Sequence, residues 1–525
     1  MALKQDCFAC TLIILAVATV CWAEFQVNTY TNHDQEKPAI AMNAEGDFIV
    51  VWKSTVQDAG SRGVYGQRFN ADGTPIGGEF QIDTSSVAGF GWSPSVAMDD
   101  LGNFVVAWQG TDDSLHGIYA RLYDANGQPQ TGEFLVNTYT LYSQTDPHVA
   151  MNNSGSFVIT WSSDKNPSPI YSSWYISGRV YNSAGLPVSP EFDISVTLEG
   201  YYPQVAMDSS GDFVVTWQTR IENPPYGIYI QFRRYNADGT SKAPPVQITG
   251  DLVGSSKPYI GIDAIGNFII TWPWHPETWR KEDIYAERFD HNGDSLGEPF
   301  IVNTCPDGQQ GAPSVAVNDS GDFVVAWYSR SDDEGSKDQD GNKDGVFGQR
   351  YNNDGNAIGD EFQINTYIID DQTLPKVAIS NNGKFVTVWQ SEGQDGSKKG
   401  VFGELGPKIC CADFTDDLFV NFRDYCILAD EWLKNGNSLK ADLVDDNKIN
   451  ELDLEALSEQ WLRPCYDCNE VDISGDGKID FKDYALLAAN WLKQGPKLDG
   501  DITGNGTVGR TDLKVLCLSW LQNCQ

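Results

Sequence analysis

The chain has 525 residues, 41% hydrophobic and 12% aromatic, with 50 glycines, a composition that fits a turn-rich β protein of more than one domain and excludes a largely disordered chain. Its formal net charge of -37 argues against nucleic acid or an anionic membrane as partner, because phosphate binding needs clustered Lys and Arg. An acidic surface suits solubility and divalent cations instead.

At the N-terminus, Lys4 precedes an apolar run from Leu12 to Val20 and then Cys21-Trp22-Ala23. This pattern predicts a secretory signal peptide over 1–23, cut after Ala23, with a mature chain beginning at Glu24. The run is too short to span a bilayer, and no later segment approaches a transmembrane helix.

From Glu24 to about Leu405 one phrase recurs seven times: Gly, a variable residue, Phe, two further strand-forming residues, one more, and Trp. The copies end at Trp52, Trp108, Trp161, Trp217, Trp272, Trp327 and Trp389, with spacings of 56, 53, 56, 55, 55 and 62. A period near 55 with strand composition indicates a repeat architecture. Each unit offers four short strands, in the first Phe25 to Asn28, Ala39 to Met42, Phe48 to Trp52 and Val64 to Phe69. Turns such as Asn70-Ala71-Asp72-Gly73 supply the positive φ of tight hairpins. Phe104 to Trp108 is apolar on both faces, so both must be covered, as happens when twisted four-stranded blades stack around an axis. The fold class predicted for 24–405 is an all-β, seven-bladed propeller. A string of separate sandwiches competes poorly, since about 55 residues is small for a sandwich with its own core. The last unit has no Glu-Phe-Gln-Ile strand after Val401 to Leu405, whereas the chain begins with Glu24-Phe25-Gln26-Val27. The first strand is therefore a candidate to complete the last blade and remove a free edge; grouping strands in the order they come would need no such swap.

These units, with Glu79-Phe80-Gln81-Ile82, Gly211-Asp212-Phe213-Val214-Val215-Thr216-Trp217 and Gly63-Val64-Tyr65-Gly66-Gln67-Arg68, resemble a repeat of large secreted and surface proteins of bacteria. The resemblance implies an extracellular or cell-surface setting and no particular chemistry. No catalytic set stands out. Glycosidases use two carboxylates about 5 to 10 Å apart, and so many acids leave the pair unselected. Asp208-Ser209-Ser210-Gly211 only faintly echoes a sialidase Asp box and reads as a turn. His33, His116, His148, His275 and His291 are scattered and read as surface or loop residues. Two irregular blades draw attention. The fifth carries Trp272-Pro273-Trp274-His275-Pro276-Glu277-Thr278-Trp279, where Trp274 and Trp279 are candidates to stack on sugar rings or, alternatively, to pack on a neighbouring blade. The sixth carries an insertion with Asp338, Asp340, Asn342 and Asp344, alternating oxygen ligands of the kind calcium prefers.

Beyond a link at 406–412 the period falls to about 30 and the pattern turns helical. Four loops start at Asp413, Asp442, Asp472 and Asp501, each followed by an apolar helix ending in Trp-Leu. Asp472, Ser474, Asp476, Asp480 and Asp483 fall at loop positions 1, 3, 5, 9 and 12, with the Lys478 carbonyl at 7 and Gly477 at the turn, which predicts a Ca2+ site. Asp501, Thr503, Asn505, Thr507 and Asp512 repeat the arrangement. Asp413, Thr415, Asp417, Asn421 and Asp424 form a weaker version with Leu418 at the turn, and Val444 interrupts the Asp442 loop. Position-12 Asp, one exiting helix per loop and tandem pairing resemble the type I dockerin, a small all-α, EF-hand-like calcium module. The match divides the region into 413–465, a degenerate module, and 468–525, a calcium-binding one. The resemblance implies calcium-dependent docking to a cohesin-like or surface protein. With secretion, clustered cysteines favour disulfides; Cys411 with Cys465 and Cys468 with Cys524 are the expected pairs, each clamping the ends of one module. Together these observations predict a secreted, non-enzymatic binding or scaffold protein, its propeller presenting a surface to a glycan or protein and its tail providing attachment. The alternative is a carbohydrate-active enzyme, glycoside hydrolase or polysaccharide lyase, of a multi-enzyme degrading system.

Overall fold

The computed structural model describes residues 24–406 apart from 59–60, 85–91, 113, 166–172, 196–198, 222–226, 249–256, 275–281, 306–307, 331–338 and 340–342. The segment expected to be a signal peptide, the expected calcium loops at 413–424, 472–483 and 501–512 and the four cysteines expected to pair lie outside the described residues.

Seven four-stranded antiparallel sheets account for every described strand. In blade 1 the order is Gln35–Met42, Phe48–Asp58, Ser61–Phe69 and Pro75–Gln81. Blades 2 to 6 repeat this meander from innermost strands Trp92–Met98, Gln144–Met151, Glu199–Met207, Tyr259–Ile262 and Gln309–Val317. Blade 7 takes three strands from the end of the repeat region, Gln372–Ile379, Phe385–Glu392 and Lys399–Leu405, and its fourth from the beginning, Phe25–Gln26. Phe25 stands opposite Gly403 and Gln26 opposite Phe402. Of the two strand groupings the sequence left open, the structure therefore adopts the swap. The innermost strands contact one another in a closed ring, blade 7 against blade 1 included. This is a seven-bladed β-propeller.

The recurring phrase is a turn followed by a doubly covered strand. Asn43 Oδ1 accepts the amides of Glu45, Gly46 and Asp47 at 3.1, 2.9 and 2.8 Å, and Gly46 takes φ +100°, a value open to glycine at little cost. Asp99, Asn152, Asp208, Asp263 and Asn318 cap the equivalent turns, so Asp208 is a turn former as expected. The following strand then lies between two blades, and every residue of Phe104–Gly110 is buried. Its Phe stacks on an aromatic ring of the third strand: Phe48 on Phe69 at 4.9 Å, Phe104 on Tyr123 at 4.8 Å, Phe157 on Tyr181 at 4.9 Å. The outermost Phe of the preceding blade tilts onto that pair, Phe25 on Phe69 and Phe80 on Tyr123. Each fully buried ring contributes about 1.5–3 kcal/mol by area, which makes these triplets a principal adhesive between blades.

The Glu-Phe-Gln-Ile strand is equally structural. Its apolar fourth residue is buried at Ile82, Val136, Ile194, Val302 and Ile364. The next residue pins the third strand: Asn137 Oδ1 accepts from Ile118 N, and Asn303 Oδ1 from Ile284 N, both at 2.8 Å. The Glu reaches back to the blade before it. Glu191 Oε2 accepts the Thr138 amide at 2.6 Å and hydroxyl at 2.7 Å, and Glu79 takes Thr29 in the same way. Glu24 closes this outer ring by accepting the amides of Thr366 and Tyr367.

Candidate binding site at the axial channel

In such a meander, first-to-second and third-to-fourth turns fall on one face of the ring and the remaining connections on the other. The first face is uniform, built from the capped turns above. The second varies: the second and third strands end and restart at Gly110 and Gly117 in blade 2, but at Arg330 and Gly345 in blade 6. The innermost strands begin on this variable face, so residues early in those strands surround the mouth of the axial channel.

Each innermost strand opens with the same device. A proline stands eight residues before the Gly of every phrase: Pro38, Pro94, Pro147, Pro203, Pro258, Pro313 and Pro375. In six of the seven blades, blade 5 excepted, the preceding residue is left-handed, with φ of 55° at Lys37, 48° at Ser93, 51° at Asp146, 53° at Tyr202, 44° at Ala312 and 55° at Leu374. Ladder register breaks there, for example between Glu36 and Ala39 and between Thr145 and His148. A bulge with proline suits a free edge, because it twists the strand and removes a donor that has no partner. Non-glycine residues at such φ carry about 1–3 kcal/mol of strain each, supplied here by the surrounding blades.

Two layers of side chains follow, the bulge residue nearer the mouth and the residue after the proline one step deeper. In the deeper layer Ser95 Oγ accepts from Val149 N at 3.1 Å, His148 Nδ1 from Val205 N at 3.2 Å and Ser314 Oγ from Val377 N at 3.2 Å, each bond joining one blade to the next. Blade 6 contributes only the small Ala312 and Ser314. Lys376 of blade 7 reaches past them, and its Nζ lies over the Tyr259 ring of blade 5 at 4.1 Å. Lys257 lies over Tyr202 of blade 4 at 4.0 Å. Lys37 donates to Ser93 Oγ at 3.3 Å; beside it Trp92 has Lys53 at 4.6 Å, Arg62 at 4.9 Å and Lys37 at 5.5 Å from its ring. Such cation–aromatic contacts contribute about 0.5–2 kcal/mol each.

Charge at the proline-flanking positions of this mouth is opposite in sign to that of the whole chain. Among the positions immediately before and after the prolines of all seven blades, Asp146 is the one carboxylate, against Lys37, Lys257 and Lys376. Burial pushes the Lys376 ammonium down to about 7, and the charge of Lys257 adds to the effect. Burial also lowers Lys37, opposed by Asp146 and Glu36. Desolvation, with repulsion from Lys376, holds the His148 imidazole at about 3, so it is neutral and its Nδ1 is free to accept from Val205. Both Lys376 and His148 are half-buried. Beside the ring, a 240 Å³ cavity lined by Arg330, Asp371, Thr373, Gln390, Glu392 and Lys399 lies between blades 6 and 7.

Of the residues singled out from the sequence, Trp274 packs edge-on against Tyr285 of its own blade at 4.7 Å, half-buried against the core shared with blade 4. Trp279 lies outside the described residues, as do Asp338, Asp340 and Asn342. Asp344 is described, is buried, and is held by Arg330, whose Nε is 2.9 and 3.0 Å from its two oxygens. Among the described residues no three His, Cys, Asp or Glu side chains gather into a metal-binding group. His148 departs from the expectation of a surface or loop residue: it sits on an innermost strand inside the channel. The signal that would have found it was the proline recurring at a fixed offset.

No family model matches this chain, and no curated protein does. Solved structures similar to it at a low level include the following three. A protein of unknown function from Dyadobacter fermentans is 11% identical, with TM-score 0.44 over 62% of this chain and 97% of its own. An ulvan lyase, a polysaccharide lyase, is 11% identical, with TM-score 0.43 over 73% and 94%. The β-propeller domain of the trilobed protease of Pyrococcus furiosus is 11% identical, with TM-score 0.42 over 72% and 95%. The architecture assigned here stands on the strand pairing alone.

Proposed function

We propose that this chain is a secreted, non-enzymatic binding protein. Its propeller presents a glycan- or protein-binding surface on the variable face, and its calcium-stabilised, dockerin-like tail attaches it to a cohesin-like or surface partner. One observation supports the propeller half most directly: the positions flanking the seven prolines at the axial mouth hold cationic and aromatic side chains with a single acid, Asp146. Hydrolysis of a glycosidic bond needs two carboxylates about 5 to 10 Å apart, which the ring positions do not supply. The division of labour between faces points the same way, since binding residues gather on variable connections held by a rigid scaffold.

A glycan array probed with the full chain tests this reading, alongside incubation with the polysaccharides bound. Retention without product supports binding; release of reducing ends or of unsaturated products would replace it with an enzyme. For the tail, calorimetry with and without calcium is the test. Calcium should raise the melting of the region that contains 472–512, and Asp472→Ala should reduce that rise. No shift in either protein would remove the metal assignment. Non-reducing peptide mapping checks Cys411–Cys465 and Cys468–Cys524, and a Cys465–Cys468 bridge would refute both.

A further inference from the structure

We propose that the axial mouth is an oxyanion site, in which Lys37, Lys257 and Lys376 receive the carboxylate or sulfate group of an acidic saccharide. The inference rests on the glycan-binding reading above and narrows it to one chemical class. Its basis is geometric. Lys37, Lys257 and Lys376 stand beside the prolines that open the innermost strands of blades 1, 5 and 7, with Lys37 bonded to Ser93 of blade 2 at 3.3 Å and Lys257 and Lys376 lying over Tyr202 and Tyr259 at 4.0 and 4.1 Å; the charge of Lys257 also lowers both Lys37 and Lys376. Among the described residues neither Lys257 nor Lys376 has a carboxylate within ion-pair distance. That is unusual in a chain with 73 acidic residues against 36 basic ones, where a cation has many partners available.

Each of the two ammoniums rests instead on a tyrosine face, Tyr202 or Tyr259. A ring face offers electrostatic attraction but uses up no N–H donor strongly, so the donors of Lys257 and Lys376 stay available to an incoming oxyanion. Blade 6 places only the small Ala312 and Ser314 at the positions between Lys376 and the Tyr259 ring it reaches on blade 5. Charge-assisted bonds from ammonium to oxyanion are the stronger kind, and enclosure by the blades lowers screening around them. The acidic remainder of the protein disfavours a long polyanion lying across the surface. It permits a single acidic group entering on the axis.

The test is calorimetric titration of the full chain with three probes: tri-galacturonic acid, a neutral trisaccharide of glucose, and inorganic sulfate. Wild type is compared with Lys257→Gln and Lys376→Met. The acidic trisaccharide should bind at least about tenfold more tightly than the neutral one, and each substitution should weaken it about tenfold, the loss expected for one charge-assisted bond. Raising salt should weaken it further. Lys257 is exposed at the mouth, so Lys257→Gln keeps the test valid if Lys376→Met fails to fold. Equal binding of acidic and neutral saccharides, unchanged in the variants, overturns the oxyanion site and leaves the glycan reading intact. Sulfate binding as tightly as the trisaccharide, and lost in the variants, retains the site and removes the glycan reading. Absence of binding by all three probes overturns the inference.

Discussion

Asp83 should weaken this propeller at neutral pH, and Asp83→Asn should strengthen it. The residue occupies the position that pins a third strand, its Oδ1 accepting Val64 N at 2.8 Å, and it is 3% exposed. Asn28, Asn137, Asn303 and Asn365 make the same bond elsewhere in the ring. A carboxylate there is desolvated, and the nearby Glu133 adds repulsion, which together raise its pKa from 3.8 to about 7. A carboxyl whose folded pKa lies above its unfolded value binds an extra proton on folding, so it costs nothing below about pH 4. Its cost then grows as pH rises and levels off above about pH 7. At 1.36 kcal/mol per unit, the ceiling is about 1.6 kcal/mol at pH 5 and about 4 kcal/mol at pH 8. Relaxation of the site reduces both, and the increase between them is the diagnostic quantity. Urea unfolding of wild type and Asp83→Asn at pH 5 and pH 8 measures it. An advantage for the Asn variant that is the same at both values, or a loss at pH 8, refutes the reasoning.

The other predictions concern closure and the channel. Phe25→Ala removes a half-buried ring that tilts against Phe48 and Phe69 and should destabilise by about 2 kcal/mol, less than a fully buried Phe would lose. Hydrogen exchange should quicken in Lys399–Leu405 before other strands; uniform quickening would contradict a role confined to closure. His148, neutral and held at about 3 by desolvation, must gain a proton on unfolding below its ordinary value, so it removes stability as pH falls from about 6.5 toward 3. His148→Ser keeps an acceptor for Val205 N, as Ser95 and Ser314 do for their neighbours, and should flatten that acid-side loss. The wild-type imidazole resonances should not titrate above about pH 4, and a midpoint near 6 would refute its assignment to the enclosed ring. Gly311→Ala should disrupt blade 6, because an added Cβ would stand 2.5 Å from the Tyr328 ring, and a melting temperature equal to wild type would contradict that packing.

Much of the ring was legible because it is local and repeated. The stretch from Gly102 to Trp108 carries its own turn, its strand and its two apolar faces within seven residues, so periodicity alone reveals it. The start at Glu24-Phe25-Gln26-Val27 matched the strand missing after Leu405, although the sequence could not choose between the two groupings; pairing of Phe25 with Gly403 decides it. The channel was not legible for the opposite reason. Lys37, His148, Lys257 and Lys376 are separated by 111, 109 and 119 residues and become neighbours only through rotation about the axis. That Lys376 lies on Tyr259 depends on the small side chains of a third blade, a packing relation that no spacing encodes. Asp83 illustrates a further limit: as one acid among 73 acidic residues it is unremarkable until its counterparts in four other blades prove to be amides.

The clasp formed by Phe25–Gln26 sets how the domain responds to pulling. Lys399–Leu405 has a neighbour on each side, Phe385–Glu392 and Phe25–Gln26, so tension entering from the C-terminal direction is divided between two ladders. The ladder to Phe385–Glu392 spans seven residue pairs from Val386–Leu405 to Glu392–Lys399, whereas that to the clasp has two. Tension entering at Glu24 meets the bonds of Glu24 to Thr366 and Tyr367, the short ladder and the Phe25 ring. The ring of blades is thus mechanically asymmetric: an anchor at the C-terminal end loads its stronger side, and peeling begins at the clasp only when the N-terminal end is pulled.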